Sequence, residues 1–209
     1  MIIKLNTPLE KYSFNEPFHH ATDGEKAEYN TSFVVSYDQQ FLTVNFNCAN
    51  NPYTLENTLT EHNSPLYNQE VFEVFIGTGF EDNKTYLEVE INPNNAIWIG
   101  RISNPSLGEN MQSLEEQIDY KTSCIEHDVN HENGSWSGFL KIPWQLIGIS
   151  KEGNYRINFY RIRSNNSHSE KDWICDTESC DFLCWKSTLS GKEPAFHRPK
   201  QFGILNVNM

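Results

Sequence analysis

The 209-residue sequence predicts an all-β protein, a sandwich or a barrel, on three observations. Aromatic residues make up 13% of the chain, a share that suits pleated surfaces better than helical bundles. Apolar residues recur mostly at every second position, the period of a strand. Polar turn signals separate many short runs of this kind, and helical pattern is scarce.

The elements follow in chain order. Segments 31–37 (TSFVVSY) and 41–47 (FLTVNFN) flank Asp38-Gln39-Gln40 and read as a hairpin. Segments 70–76 (EVFEVFI) and 85–92 (TYLEVEIN) flank a polar loop with Gly77 and Gly79, and read as a second hairpin. Further strands are expected at 96–102, 136–142, 155–162 and 203–207. Short helical turns are expected at 113–118 and 144–147. Long polar loops remain at 47–69, 102–121 and 163–198, and loops of that length in a compact domain are usually functional. No linker or internal repeat breaks the pattern, so 1–209 reads as one domain.

The charge balance narrows the partners. With 28 acidic and 16 basic residues the formal net charge is -12. Such a surface repels nucleic-acid phosphates and anionic lipid, and leaves neutral ligands such as sugars, or cations. The opening MIIKLNTPLEKYSFNEP has no long apolar run, so neither a signal peptide nor a membrane span is expected. Five cysteines, an odd number, fit a reducing compartment, and the expectation is a cytoplasmic protein, or a secreted one whose signal has been removed. Cys175, Cys180 and Cys184 cluster between His168 and His197, but more loosely than the close cysteine pairs of zinc sites. Structural thiols are the favoured reading, with a Cys180 disulfide to a neighbour the alternative in an oxidising compartment.

Three glutamates carry the candidate chemistry. On segment 85–92, Leu87, Val89 and Ile91 point one way, and Tyr86, Glu88, Glu90 and Asn92 the other. Glu73 interrupts an apolar run on the preceding strand, and hairpin closure puts it opposite Glu88 or near it. Arg101, Arg156 and Arg161, each on a strand, are the expected counter-charges, since carboxylates that close repel. The face is either washed by solvent or a polar platform for hydroxyls or a cation. A glycosidase would need two such carboxyls about 5 to 9.5 Å apart across the scissile bond. Nucleophile-elbow, phosphate-loop, dinucleotide and zinc-protease motifs are absent from the sequence. His127 and His131 read as loop residues. Calcium has two candidate sites, the Glu81-Asp82-Asn83 loop and Asp38, without an EF-hand pattern.

Aromatics outside the strands point to a ligand. Tyr67 precedes the strand at 70–76, and Trp173 and Trp185 lie in the last long loop. Flat aromatic faces suit the apolar face of a sugar ring, while polar neighbours fix its hydroxyls. Core packing is the more ordinary role for any single one of them. In the stretch AFHRPKQFG, Phe196 and Phe202 are expected to anchor both ends of a loop, with Pro199 closing it. His197 and Arg198 then orient that loop or border the cleft.

The ordered set YNQEVFEVFI at 67–76, YLEVEIN at 86–92, GSW at 134–136, KIPW at 141–144, YRINFYR at 155–161, Trp185, FHRP at 196–199 and Phe202-Gly203 resembles the family 9 carbohydrate-binding module and its stand-alone relatives. The resemblance runs from about residue 31 to the end. It implies a jelly-roll β-sandwich, without catalysis, that grips the end of a glycan between two aromatic rings. It also implies a tie to polysaccharide breakdown, and structural calcium is common in the family. By position, Tyr67 matches the first sandwiching aromatic, usually Trp. Glu70 matches an acidic residue that is usually Asp, and Glu73 the acidic residue of the following strand. Trp185 or Trp173 is the candidate second aromatic. Glu88, Arg101, Arg156, Asn158 and His197 are candidate polar contacts by placement alone. Two alternatives stay open. One is a glycoside-acting enzyme using Glu73, Glu88 and Glu90. The other is a haem- or metal-binding or scaffold sandwich, though Met111 is the only internal methionine for a haem.

Overall fold

The computed structural model describes residues 1–150, 153–170 and 172–208. Their strands are β1 (Ile2–Leu5), β2 (Tyr12–Phe14), β3 (His19–His20), β4 (Thr31–Tyr37), β5 (Phe41–Cys48), β6 (Val71–Thr78), β7 (Thr85–Ile91), β8 (Ile97–Ser103), β9 (Ser113–Gln117), β10 (Glu126–Glu132), β11 (Ser135–Pro143), β12 (Asn154–Ser164), β13 (Cys180–Cys184) and β14 (Gly203–Val207). The only α-helical turns among the described residues are α1 (Tyr120–Ser123) and α2 (Trp144–Ile147).

The strands form two sheets, the sandwich rather than the barrel that the alternation equally allowed. The smaller sheet runs β10-β11-β5-β4-β2. The larger runs β1-β14-β12-β6-β7-β8-β9, with β13 on β12 and β3 on β13. β12 spans 11 residues, so one edge takes β14 along Asn154–Ile157 and β13 along Tyr160–Ser164, while β6 runs along the other. All pairings are antiparallel except β1 with β14.

Between the sheets lies the main core. Phe33, Val35, Val44 and Trp136 of the small sheet meet Phe72, Val74, Val89 and Phe159 of the large one, all buried. Strands of the small sheet alternate buried and half-exposed residues, because one face meets water. β6 and β7 do not alternate and are buried on both faces. Long loops cover the outer face of the large sheet and close a second apolar cluster there, with Leu66, Phe75, Trp98, Tyr160, Phe196 and Phe202. The polar face of β7 is therefore enclosed, not washed by solvent. Tyr86, Glu88, Glu90 and Asn92 keep at most 4% of their surface.

Several local expectations change. Segment 113–118 holds strand β9, not a helix. Its five residues are all exposed on the sheet edge, paired to β8 past a bulge at Arg101/Ile102. His127 and His131 lie on strand β10, on the open edge of the small sheet, not in a loop. Edge strands carry polar residues on both faces, so the alternation that marks a strand is weak. The helical turn expected at 144–147 is α2.

Candidate functional site

The large sheet's covered face holds a cleft of about 670 Å³. Glu73 of β6 and Glu88 of β7 line it, beside Trp98 and Ile102 of β8. Phe182 of β13 and the segment from Pro194 to Arg198 complete one wall, and loop residues Gly108 to Gln112 another. Tyr67 stands at its mouth. It sits on a single 3-10 turn, Leu66–Asn68, whose Leu66 is fully buried. Anchoring Leu66 inward turns Tyr67 outward, and its side chain is 49% exposed.

Glu73 and Glu88 are 2% and 4% exposed. Glu73 pairs across the ladder with Glu90, not with Glu88, which lies opposite Phe75. Both Glu90 oxygens are buried and meet no base, with the Glu88 carboxyl and the Tyr67 backbone the hydrogen-bonding groups that act on them. The arginines expected as counter-charges are engaged elsewhere. Arg101 faces Glu116 at 3.7 Å, Arg156 pairs with Asp82 at 3.1 Å, and Arg161 with Glu70 at 3.0 Å. Burial is therefore the largest influence and holds the neutral acid, offset only in part by a hydrogen bond with Glu90 at Glu88 and by one with the Tyr67 backbone at Glu90. It pushes Glu88 up to about 8 and raises Glu73 and Glu90 well above the usual carboxylate range, with mutual repulsion adding to it for Glu73 and Glu90.

His197 is built into the cleft wall. Its Nδ1 is hydrogen-bonded to the Tyr86 hydroxyl at 2.8 Å, and Asn104 donates to the His197 carbonyl at 3.0 Å. Its Nε2 lies 4.0 Å from the Glu88 carboxyl. Burial pulls the ring down to about 4, so it is neutral at pH 7 and makes no ion pair there. Gly108 (φ +93°) lets this wall close, since a Cβ there would sit 2.6 Å from the His197 carbonyl oxygen. The flanking anchors Phe196 and Phe202 are buried, as expected of them.

The structure thus brings together Tyr67, Glu73, Glu88 and His197, and leaves the other candidates outside the cleft. Trp185 is fully buried between the sheets, edge-on to Phe33 and Phe159 at centroid distances of 5.8 and 5.6 Å, and offers no face to a ligand. Trp173 is 6% exposed, stacked on His168 at 3.7 Å, with its indole N–H donated to the Glu56 carbonyl. Glu70 is buried on Arg161 and accepts the Trp136 indole N–H at 2.7 Å. Asn158 is buried and holds the Lys186 backbone through two hydrogen bonds of 2.8 and 3.0 Å. Arg101 donates to the Leu146 carbonyl at the rim of the sandwich. Arg156 donates to the Pro199 and Lys200 carbonyls and fastens the last loop.

Trp98 was missed. It sits inside an apolar strand, where nothing in the pattern separates a cleft-lining ring from a core one. Gly100 makes room for it, since a Cβ there would lie 2.3 Å from the indole.

The candidate calcium ligands have other work. Asp38 accepts the Gln40 and Phe41 backbone N–H groups, Asp82 holds Arg156, and Asn83 donates to the Thr78 carbonyl. Among the described residues no three His, Cys, Asp or Glu side chains gather to hold a metal. Cys175 and Cys180 form a disulfide, while Cys48, Cys124 and Cys184 are free.

Known proteins share this architecture. A candidate carbohydrate-binding protein of Bacteroides uniformis superposes with a TM-score of 0.67 at 14% identity, over 93% of this chain and 86% of its own. A carbohydrate-binding module of family 9 from Caldicellulosiruptor kristjanssonii, solved with glucose, superposes with a TM-score of 0.58 at 14% identity, over 100% and 95%. The fold is that of the family 9 carbohydrate-binding modules. A family 9 module from the same organism solved with cellotriose gives a TM-score of 0.52 at 12% identity, over 100% and 93%. A protein of Arthroderma benhamiae named "Extracellular protein" is 27% identical over 143 residues, 63% of this chain. That match spans 62% of the fungal protein's length, so its remainder has no counterpart in this alignment. No family model matches the sequence. Among the described residues no helix is long and apolar enough to cross a membrane.

Proposed function

We propose that this chain is a single-domain, non-catalytic carbohydrate-binding protein that takes a sugar or glycan end into the cleft behind Tyr67. One observation carries this reading. Two buried carboxyls, Glu73 and Glu88, line an aromatic-walled cleft without a close ion pair, and the one side-chain hydrogen bond of Glu88 goes to another acid, Glu90. A protonated carboxyl both donates and accepts, as a sugar hydroxyl does, so each can satisfy the other. The exposed Tyr67 ring supplies the flat apolar face on which a pyranose stacks. Trp98 takes the place of Trp185 and Trp173 as the second aromatic. Family 9 modules solved with glucose and cellotriose share the fold and support the ligand class. The Cys175–Cys180 bond and the relative named as extracellular favour an oxidising setting over the cytoplasm.

The test is a calorimetric screen of mono- and oligosaccharides on wild type, Tyr67→Ala and Glu73→Gln, with chromogenic glycosides run alongside. Binding lost in both variants supports the cleft. Binding kept in both moves the site elsewhere. Turnover that stops in Glu73→Gln would replace the binding role with a catalytic one.

A further inference from the structure

We propose, resting on the carbohydrate reading, that the sugar taken here carries a protonated amine, whose ammonium lies against Glu73 and Glu88 as the cation the protein does not itself supply.

The cleft is acidic beyond what a neutral sugar requires. One carboxyl orients a hydroxyl pair; further carboxyls beside it add repulsion and desolvation cost and gain nothing from an uncharged ring. Here Glu73 and Glu88 are more than nine-tenths buried, open into the cleft and find no base, and Glu90 lies directly across from Glu73. Most bases nearby are committed. Arg161, Arg163 and Arg156 pair with Glu70, Asp181 and Asp82. Lys186 reaches the Phe202 carbonyl at 3.4 Å. Arg198 lines the cleft and makes no ion pair with any of the three glutamates among the described contacts. His197, the nearest titratable base, is 4.0 Å from Glu88 and tied to Tyr86. The other titratable groups acting at this face, Tyr67, Tyr86, Tyr160 and the Cys184 thiol, are all held neutral by burial and bring no positive charge.

The shape of the cluster selects the kind of cation. The carboxyls do not converge as metal ligands must. They lie along a sheet face under a ring-sized cleft with an aromatic at its mouth. An ammonium on a pyranose ring fits that layout. It offers three N–H donors to separate carboxyl oxygens while the ring lies on Tyr67. The overall charge of -12 draws a cationic ligand toward the protein.

Three β-1,4 disaccharides with the same backbone decide the matter by titration calorimetry at about pH 6, where the amine is protonated. They are the glucosamine dimer, its N-acetylated form and cellobiose. The free amine should bind about ten- to a hundredfold tighter than cellobiose, the factor a charge-assisted hydrogen bond gives. That advantage should shrink in Glu73→Gln and in raised salt. Titration in two buffers of different ionisation heat should show protons released on amine binding and none on cellobiose binding. The salt and proton-release readouts use wild type, so they stand even where the variant fails to fold. Equal binding of the three sugars, or preference for the acetylated one, overturns the amine and leaves the carbohydrate reading intact. No binding to any sugar in the wider screen removes both.

Discussion

Glu73 and Glu90 face each other directly across the β6–β7 ladder, both buried, with no described base paired to either. Folding must therefore carry protons into the sheet. Glu73, Glu88 and Glu90 are all raised from 4.5, Glu88 to about 8. Each contributes stability that is fully present below about pH 4.5 and lost as pH rises through its folded value. His197 acts the other way. Its folded value of about 4 lies below 6.5, so its contribution is complete above pH 6.5 and lost as pH falls toward 4. Between about pH 6.5 and 8.5 the three acids give a downward slope, against one opposing group, the Met1 amine, whose lowered value favours folding as pH rises toward 8. Thermal melts should show the midpoint falling by several degrees across that window, on the order of 2–4 °C for each kcal/mol lost. Glu90→Gln should flatten the slope and raise the midpoint at the alkaline end.

Tyr67 and Trp185 should separate binding from stability. Trp185→Ala removes a fully buried indole packed on Phe14, Phe33 and Phe159, and should cost about 3–5 kcal/mol in denaturant unfolding. Tyr67→Ala alters an exposed ring and should change stability by less than about 1 kcal/mol while lowering sugar affinity. A Trp185→Ala variant that folds and binds normally would contradict the core placement.

The buried Arg161–Glu70 pair predicts a non-additive cycle. Glu70 accepts from Arg161, Trp136 and Asn51, and Arg161 also donates to Thr31 and the Ala49 carbonyl. Glu70→Leu or Arg161→Met alone strands a buried charge and should cost about 3–5 kcal/mol. The double variant should cost clearly less than the sum, as measured by urea unfolding.

The disulfide should support the cleft from a distance. The Cys175 backbone N–H donates to the Asn68 carbonyl at 2.7 Å, next to Tyr67, and Gln69 donates to the Trp173 carbonyl at 3.0 Å. Cys180 ties this loop to the end of β13. Cys175→Ser with Cys180→Ser should weaken sugar binding severalfold, with amide exchange rising at residues 66–69 and 173–175 and little change in the sheets.

Legibility in the sequence followed packing. Both central hairpins are legible, β4–β5 because one face is apolar and the period of two survives, and β6–β7 because a nearly continuous apolar run is followed by a strand that alternates in residue type although both its faces are buried. β9 and β10 were not, since edge strands in water keep polar residues on both faces. The acid cluster was visible as Glu73, Glu88 and Glu90, but its partners were not. Strand membership suggested Arg101, Arg156 and Arg161, whereas pairing depends on which face and which end of the sheet each reaches. Trp185 and Trp173 look alike to Tyr67 in composition, and only burial tells them apart.

Local alternation, turn residues and charge thus determined the all-β class, the central hairpins, the acidic surface and the glutamate-bearing face. The tertiary structure decided that this face lies beneath the last long loop, that three carboxyls share it without a base, and that Tyr67 with Trp98, not Trp185 or Trp173, flanks the cleft. The division has one physical cause. Alternation is set by neighbours along a strand, while burial and charge pairing are set by loops returning from a hundred residues away, as His197 does when it meets Tyr86 at a separation of 111 residues.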